Sequence, residues 1–104
     1  MRALIIGGVG GMGQGVARDL IKQEQVTNVI LADLYPDPER LSKKLRESEK
    51  TTLVKMDVND HAAMVKAFKE VNVVINTAGP FYKTAVPVAK AAVEAKVNYI
   101  DIVP

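Results

Sequence analysis

The sequence predicts an α/β fold: a doubly wound parallel sheet of five strands in the order 3-2-1-4-5, forming a single domain over residues 1–104. Three observations carry this. A glycine-dense loop follows an apolar run at the very start of the chain, with five glycines falling within residues 7–13. Apolar runs then alternate with segments of helical periodicity across short connections, which is the pattern of a parallel sheet wrapped by helices. The runs themselves are near-continuous in Val, Ile and Leu, as expected of strands covered on both faces.

Arg2 to Ile6 is the first strand, short and apolar. It delivers the chain into a turn where Gly7, Gly10 and Gly13 read G-x-x-G-x-x-G, while Gly8, Gly10 and Gly13 read G-x-G-x-x-G. We take the first register, because it starts the turn directly after Ile6. Beyond it Met12, Val16, Ala17, Leu20 and Ile21 recur at helical spacing, which predicts a helix from Gly11 to Glu24. Free N–H groups at the helix start, and the positive end of its dipole, then face the turn and suit a pyrophosphate. Gly10 allows backbone to approach phosphate more closely than a Cβ permits, and Gly13 allows close packing of helix on strand. Gly7, Gly8, Gly11 and Met12 complete the loop. A merely flexible turn is the alternative; the strand before, the helix after and an acid at the right distance weigh for phosphate. The architecture is therefore of Rossmann type.

The second strand, Asn28 to Ala32, ends at Asp33, and the third, Leu53 to Met56, ends at Asp57. The fourth, Val73 to Ile75, ends at Asn76, and the fifth runs from Asn98 to Val103. Three more helices lie between them: Pro38 to Lys50, Asp60 to Glu70 and Thr84 to Ala95. Asp37 supplies an N-cap, followed by a proline at the first helical position and by Glu39 in the first turn. Asp60 caps the next helix, whose buried stripe is Met64, Ala67 and Phe68. Pro87 falls early in the last helix, where its missing N–H costs little. Right-handed crossovers between parallel strands then produce the stated order.

Composition limits the alternatives. With 48% hydrophobic and 25% charged residues, the chain has the make-up of an ordinary soluble globular protein. A formal net charge of +2 argues against a nucleic-acid partner. Arg40, Lys43, Lys44, Arg46 and Lys50 alternate with Glu39, Glu47 and Glu49, as on a solvated helix face. There is no cysteine, and the one histidine, His61, reads as an exposed helix residue, so no metal site is expected. No apolar run approaches the roughly 20 residues that span a bilayer, so no membrane is expected and the cytoplasm is the default compartment.

Ligands of doubly wound sheets lie beyond the carboxyl ends of the strands, where the strand order reverses. Asp33, twenty positions after Gly13, stands where an acid accepts hydrogen bonds from an adenosine ribose. Alternatively it forms the turn before Pro36. As a ribose ligand it speaks for NAD over NADP. A 2′-phosphate about 4 Å from the carboxylate costs on the order of 4 kcal/mol per charge pair at an effective dielectric near 20. At about 1.4 kcal/mol per tenfold, that is roughly a thousandfold preference, with NADP still possible where Arg40 softens the clash. Asp57 and Val58 sit where an adenine edge lies, with helix capping by Asp57 as the alternative. Asn76 to Gly79 runs beside the glycine loop, close to a nicotinamide. Pro80 stiffens the turn, and Phe81 or Tyr82 forms a wall.

Gly-Gly-Val-Gly-Gly-Met-Gly-Gln-Gly-Val-Ala, Leu-Ala-Asp, Lys-Met-Asp-Val, Val-Ile-Asn-Thr-Ala-Gly-Pro-Phe and Val-Asn-Tyr-Ile-Asp together resemble the NAD(P)-binding domain of the saccharopine dehydrogenase family over essentially the whole chain. The resemblance implies pyridine-nucleotide-dependent oxidation or reduction at a C–N bond. It implies that Gly7, Gly10 and Gly13 hold pyrophosphate, that Asp33 holds ribose, and that Ala78, Gly79, Pro80 and Phe81 line the nicotinamide side. Asp101 faces the substrate cleft by the same resemblance, or is simply exposed at a strand end. Enzymes of the family carry a second, substrate-binding domain, and this chain reads as the cofactor half alone, a truncated or isolated domain without the family's activity. The fifth strand is then an apolar edge with unpaired backbone groups, a template for self-association.

Three rival readings share the glycine loop. A short-chain dehydrogenase needs a Tyr-x-x-x-Lys pair, but Tyr35, Tyr82 and Tyr99 are followed four residues on by Glu39, Val86 and Val103. A methyltransferase usually leads into its first strand with an acid, absent from Arg2 to Ile6. A stand-alone NAD-sensing regulatory module fits the length, but has no use for the Ala-Gly-Pro-Phe and Tyr-Ile-Asp segments.

Overall fold

Side chains alternate along the first strand, and this alternation builds two cores. β1 (Arg2–Ile6) sends Leu4 and Ile6 to one face of the sheet and Ile5 to the other. The computed structural model describes residues 1–102. On one face Leu4, Ile6, Ile30, Ala32 and Val74 pack with Met64, Val65 and Phe68 of α3 (His61–Phe68), and with Val88, Ala91 and Ala92 of α4 (Phe81–Ala95). On the other, Ile5, Val29, Leu31 and Ile75 pack with Ala17 of α1 (Gly11–Leu20), with Leu41, and with Leu45 of α2 (Lys43–Glu47).

The remaining strands are β2 (Asn28–Asp33), β3 (Thr51–Lys55), β4 (Val73–Asn76) and β5 (Asn98–Asp101). They pair in parallel in the order β3-β2-β1-β4-β5, as predicted. Ile6 lies opposite both Ala32 and Asn76, and Asn76 lies opposite Asp101, so the strand ends line up along one edge of the sheet. Only the three inner strands are covered on both faces. The outer two, β3 and β5, are half-buried or exposed along their length, because each lies at an edge. β3 also starts two residues earlier than expected, and β5 ends at Asp101, short of Ile102, while its expected last residue, Val103, lies outside the described residues.

The helix expected from Pro38 to Lys50 is two short pieces instead. Asp37 caps a 3-10 turn at Pro38–Arg40 by accepting from the Glu39 N–H at 3.0 Å, as its position predicts. Helix growth then stops, because Gln14 captures the groups that would extend it. Its Nε2 donates to the Arg40 carbonyl at 2.8 Å and its Oε1 accepts from the Ser42 N–H at 2.9 Å. Leu41 and Ser42 stay extended, and Leu41 drops into the core.

α1 ends at Leu20 rather than Glu24, where the Lys50 ammonium donates to the carbonyls of Ile21 and Gln23. Its buried side includes Gln14, whereas Met12 is 40% exposed and plays no part in the core. In α3 the stripe is Met64, Val65 and Phe68, with Ala67 partly buried against it, and Asp60 caps it through the Ala63 N–H at 3.1 Å. α4 begins three residues earlier than expected, which puts Pro87 inside the helix and removes the N–H that would reach the Lys83 carbonyl. His61 is exposed and lies 3.3 Å from Glu94.

Phe68 is fully buried where α3 meets the sheet. Phe68→Ala is expected to lower stability by about 3–5 kcal/mol, read as a fall in the urea midpoint; an unchanged midpoint contradicts this packing.

Candidate functional site

Gly7 leaves β1 with φ of +80°, a conformation that L side chains rarely adopt. Its N–H and that of Gly8 both donate to the Ala32 carbonyl, at 2.9 and 3.1 Å, which fastens the turn to the end of β2. The turn is packed main chain on main chain. A Cβ on Gly13 would stand 2.2 Å from the Gly7 carbonyl oxygen, and one on Gly8 would stand 2.6 Å from Leu31 Cβ. Gly13 thus has the packing role expected of it. Gly10 precedes α1 with extended backbone and supplies no side-chain cap, and no acid lies in the first turn. The N–H groups that open the helix, starting with Gly11 and Met12, therefore lack carbonyl partners within it, and the positive end of its dipole faces the turn.

On the β2 side, both oxygens of Asp33 are engaged. Oδ2 accepts from the Val9 N–H at 3.2 Å and Oδ1 from the Tyr35 N–H at 3.3 Å. Of the two expectations for Asp33, the turn is observed, and the carboxylate also lies against the glycine loop. Gln14 donates to the Val9 carbonyl at 2.9 Å, so the Val9 residue is gripped at both its N–H and its C=O. Asp57 forms a turn of its own by accepting from the Asn59 N–H at 2.9 Å; capping of α3 falls to Asp60.

On the β4 side, Asn76 is fully buried. Its Oδ1 accepts from the Ala78 N–H, and its Nδ2 donates to Thr84 and Asp101. Asp101 is exposed, yet its carboxylate also accepts from the Tyr99 hydroxyl and is turned into this network. Burial first, and then the hydrogen bond to Asp101, push the Tyr99 phenol up to about 12, so it remains protonated across the physiological range.

Between these two sides lies a cleft of about 250 Å³ at the carboxyl ends of the strands. Gly7, Asp33, Asp57, Val58, Ala78 and Gly79 line it together. Gly8, Gly10, Gly11, Met12 and Gly13 stand outside its lining, in the turn and at the helix start. Pro80, Phe81 and Asp101 do not line it either; Phe81 and Tyr82 are 49% and 77% exposed and form no wall to it. Leu34, Asn59 and Thr84 line the cleft without having been singled out. Leu34 and Asn59 directly follow predicted site residues, a signal that was available; Thr84 carried none. Among the described residues, no group of three or more His, Asp or Glu is arranged to hold a metal ion, and no helix is long and apolar enough to cross a membrane.

A doubly wound sheet binds its ligand where the strand order reverses, here between β1 and β4, and the cleft runs from that point across the carboxyl ends of β2 and β3. The fold and the site define a Rossmann-type domain. Residues 3–104 match the family described as the saccharopine dehydrogenase NADP binding domain, and the chain belongs to that family. It is an NAD(P)-binding domain of the saccharopine dehydrogenase type.

Two curated relatives overlap most of it. Over 85 residues it is 33% identical to Oxidoreductase UcpA of Escherichia coli strain K12, an overlap of 74% of this chain and 32% of that protein. Over 82 residues it is 38% identical to phenylcoumaran benzylic ether reductase Betv6 of Betula pendula, covering 75% of this chain and 26% of that one. The chain thus spans about a third or less of these relatives' length. Among solved structures, apo saccharopine dehydrogenase (L-Glu forming) from Saccharomyces cerevisiae superposes with a TM-score of 0.79 at 23% identity, covering 96% of this chain and 21% of that chain. A short-chain dehydrogenase/reductase from Veillonella parvula in complex with NADP gives 0.78 at 16%, covering 96% and 46%. The dTDP-glucose 4,6-dehydratase of Bacillus anthracis in complex with NAD gives 0.80 at 19%, covering 97% and 36%. At these identities the likeness is one of fold.

The glycines differ in what they tolerate. Gly13→Ala is expected to cost about 3 kcal/mol or more through overpacking, whereas Gly11, with nothing within 4 Å of its Cβ position, is expected to accept alanine without loss. Thermal melts of the two variants check this; equal melting temperatures contradict the packing of the turn.

Proposed function

We propose that the domain binds NAD(H) in preference to NADP(H), with the diphosphate over the turn from Gly7 to Gly13 and the adenosine ribose on Asp33. Asp57 and Val58 take the adenine edge. Ala78 and Gly79 flank the nicotinamide half, and Pro80 and Phe81 continue that rim. In the whole protein, Asp101 stands toward the substrate, and the reaction is hydride transfer at a C–N bond in the cytoplasm. The observation that carries the cofactor reading is the Asp33 carboxylate, which lines the cleft and is held there by two main-chain N–H groups.

A carboxylate so held cannot swing away from a 2′-phosphate at no cost, and each neighbouring charge pair opposes NADP. Water at this half-buried group screens part of that repulsion, so the preference expected in solution is about tenfold or more rather than a thousandfold. The second reading, NADP, is favoured by the family's own description. Arg40, the cation nearest Asp33 in the following segment, is exposed on the 3-10 turn.

Fluorescence titrations with NADH and NADPH decide between them. Asp33→Ala is expected to weaken NADH and strengthen NADPH; no change in either removes Asp33 from the site. We further propose that two copies associate along β5, which hydrogen-bonds to β4 on one side only and leaves Ile100 49% exposed. Light scattering at high concentration is expected to give a mass above the monomer, and a clean monomer contradicts this.

A further inference from the structure

Beside the cleft, the main chains of Gly7 and Ala78 come into close contact. A Cβ on Gly7 would stand 2.9 Å from both the nitrogen and the Cα of Ala78. Main-chain pairing with β1 stops one residue before Ala78, where the Thr77 N–H donates to the Ile6 carbonyl at 2.9 Å. Two side chains hold Ala78 itself. The Ala78 N–H donates to Asn76 Oδ1 at 3.0 Å, and the Ala78 carbonyl accepts from the Thr84 hydroxyl at 2.9 Å. Thr84 in turn accepts from Asn76 Nδ2 at 3.1 Å, and the same nitrogen donates to Asp101 Oδ1 at 3.2 Å.

This network has one stable arrangement. Turning the Asn76 amide over would set its NH2 against the Ala78 N–H and its oxygen against the Asp101 carboxylate. Asn76 is fully buried and has no water as an alternative partner, while Thr84, 6% exposed, touches the cleft only at its edge. Thr77 adds a stitch, its hydroxyl donating to the Ile6 carbonyl at 2.7 Å.

We propose that Asn76 and Thr84 are positioning residues for the dinucleotide: by gripping Ala78 at its N–H and its C=O, they hold its main chain against Gly7 and set the width of the cleft at the diphosphate turn. The proposal rests on the dinucleotide reading above. A rim fixed in advance loses no freedom when the ligand arrives, whereas a loosened rim must be ordered at the cost of affinity. Asp101 acts on the cleft from outside its lining, as the outer brace of the Asn76 amide.

Thr84→Val keeps the shape of the side chain and removes the hydroxyl; Thr84→Ser keeps the hydroxyl. Each is titrated with NADH, which spans the turn, and by NMR with millimolar adenosine, which carries no phosphate and reaches only the side of Asp33 and Val58. Thr84→Val is expected to weaken NADH by about tenfold while adenosine stays within about twofold of wild type. Thr84→Ser is expected to bind NADH as wild type does. NADH binding unchanged in Thr84→Val overturns the proposal, and so does an equal loss for both ligands, which marks general loosening of the fold. Should Thr84→Val not fold, Asp101→Ala at the exposed strand end serves in its place, with the same split expected and unchanged NADH binding overturning the proposal. A wild-type chain that binds neither ligand sinks the dinucleotide reading itself, a result distinct from these.

Discussion

Backbone packed directly on backbone, with no side chain between, is the constraint on which this site depends. Gly13 brings the start of α1 onto the Gly7 carbonyl, Gly8 brings the turn onto Leu31, and Gly7 meets Ala78 beside the cleft. These approaches place the opening of α1 directly after β1, at the point where the strand order reverses. The consequence is electrostatic. A helix start with neither a side-chain cap nor an acid in its first turn offers partial positive charge to the turn.

Such a turn has little side chain of its own to stiffen it, and residues distant in sequence take over that work. Val9 is gripped by Asp33 at its N–H and by Gln14 at its C=O. Ala78 is gripped in the same way by Asn76 and Thr84. The two clamps stand on opposite sides of the cleft and anchor its rims to β2 and β4. Gln14 does a second task with the same amide, since its bonds to Arg40 and Ser42 end the 3-10 turn and keep the segment after Asp33 from winding into one long helix. Each amide thus links local structure to site geometry.

Much of this was legible in the sequence because it is written locally. The strand order follows from the alternation of apolar runs and helices. The glycine turn, the capping by Asp37 and Asp60, and the coming together of Gly7, Asp33, Asp57, Val58, Ala78 and Gly79 follow from residue type and spacing. What could not be read depends on partners far along the chain. The break after Arg40 is made by an amide 26 residues away, and the Asn76 amide is oriented partly by Asp101, 25 residues on. Met12 has helical spacing with the buried stripe yet lies at the exposed helix mouth, where periodicity says nothing about cover. The early start of α4 was masked by Pro87, a residue that propensity alone places in a first turn.

The central claim is that main-chain N–H groups of the glycine turn hold the diphosphate of a dinucleotide. A titration of the 15N-labelled chain with NADH, followed by amide chemical shifts, tests it most directly. The account predicts the largest saturable shifts at the amides from Val9 to Gly13, with smaller ones at Asp33 and Ala78. Saturable binding that leaves the Gly11 and Met12 amides unmoved, or shifts confined to the outer faces of α3 and α4, would contradict it.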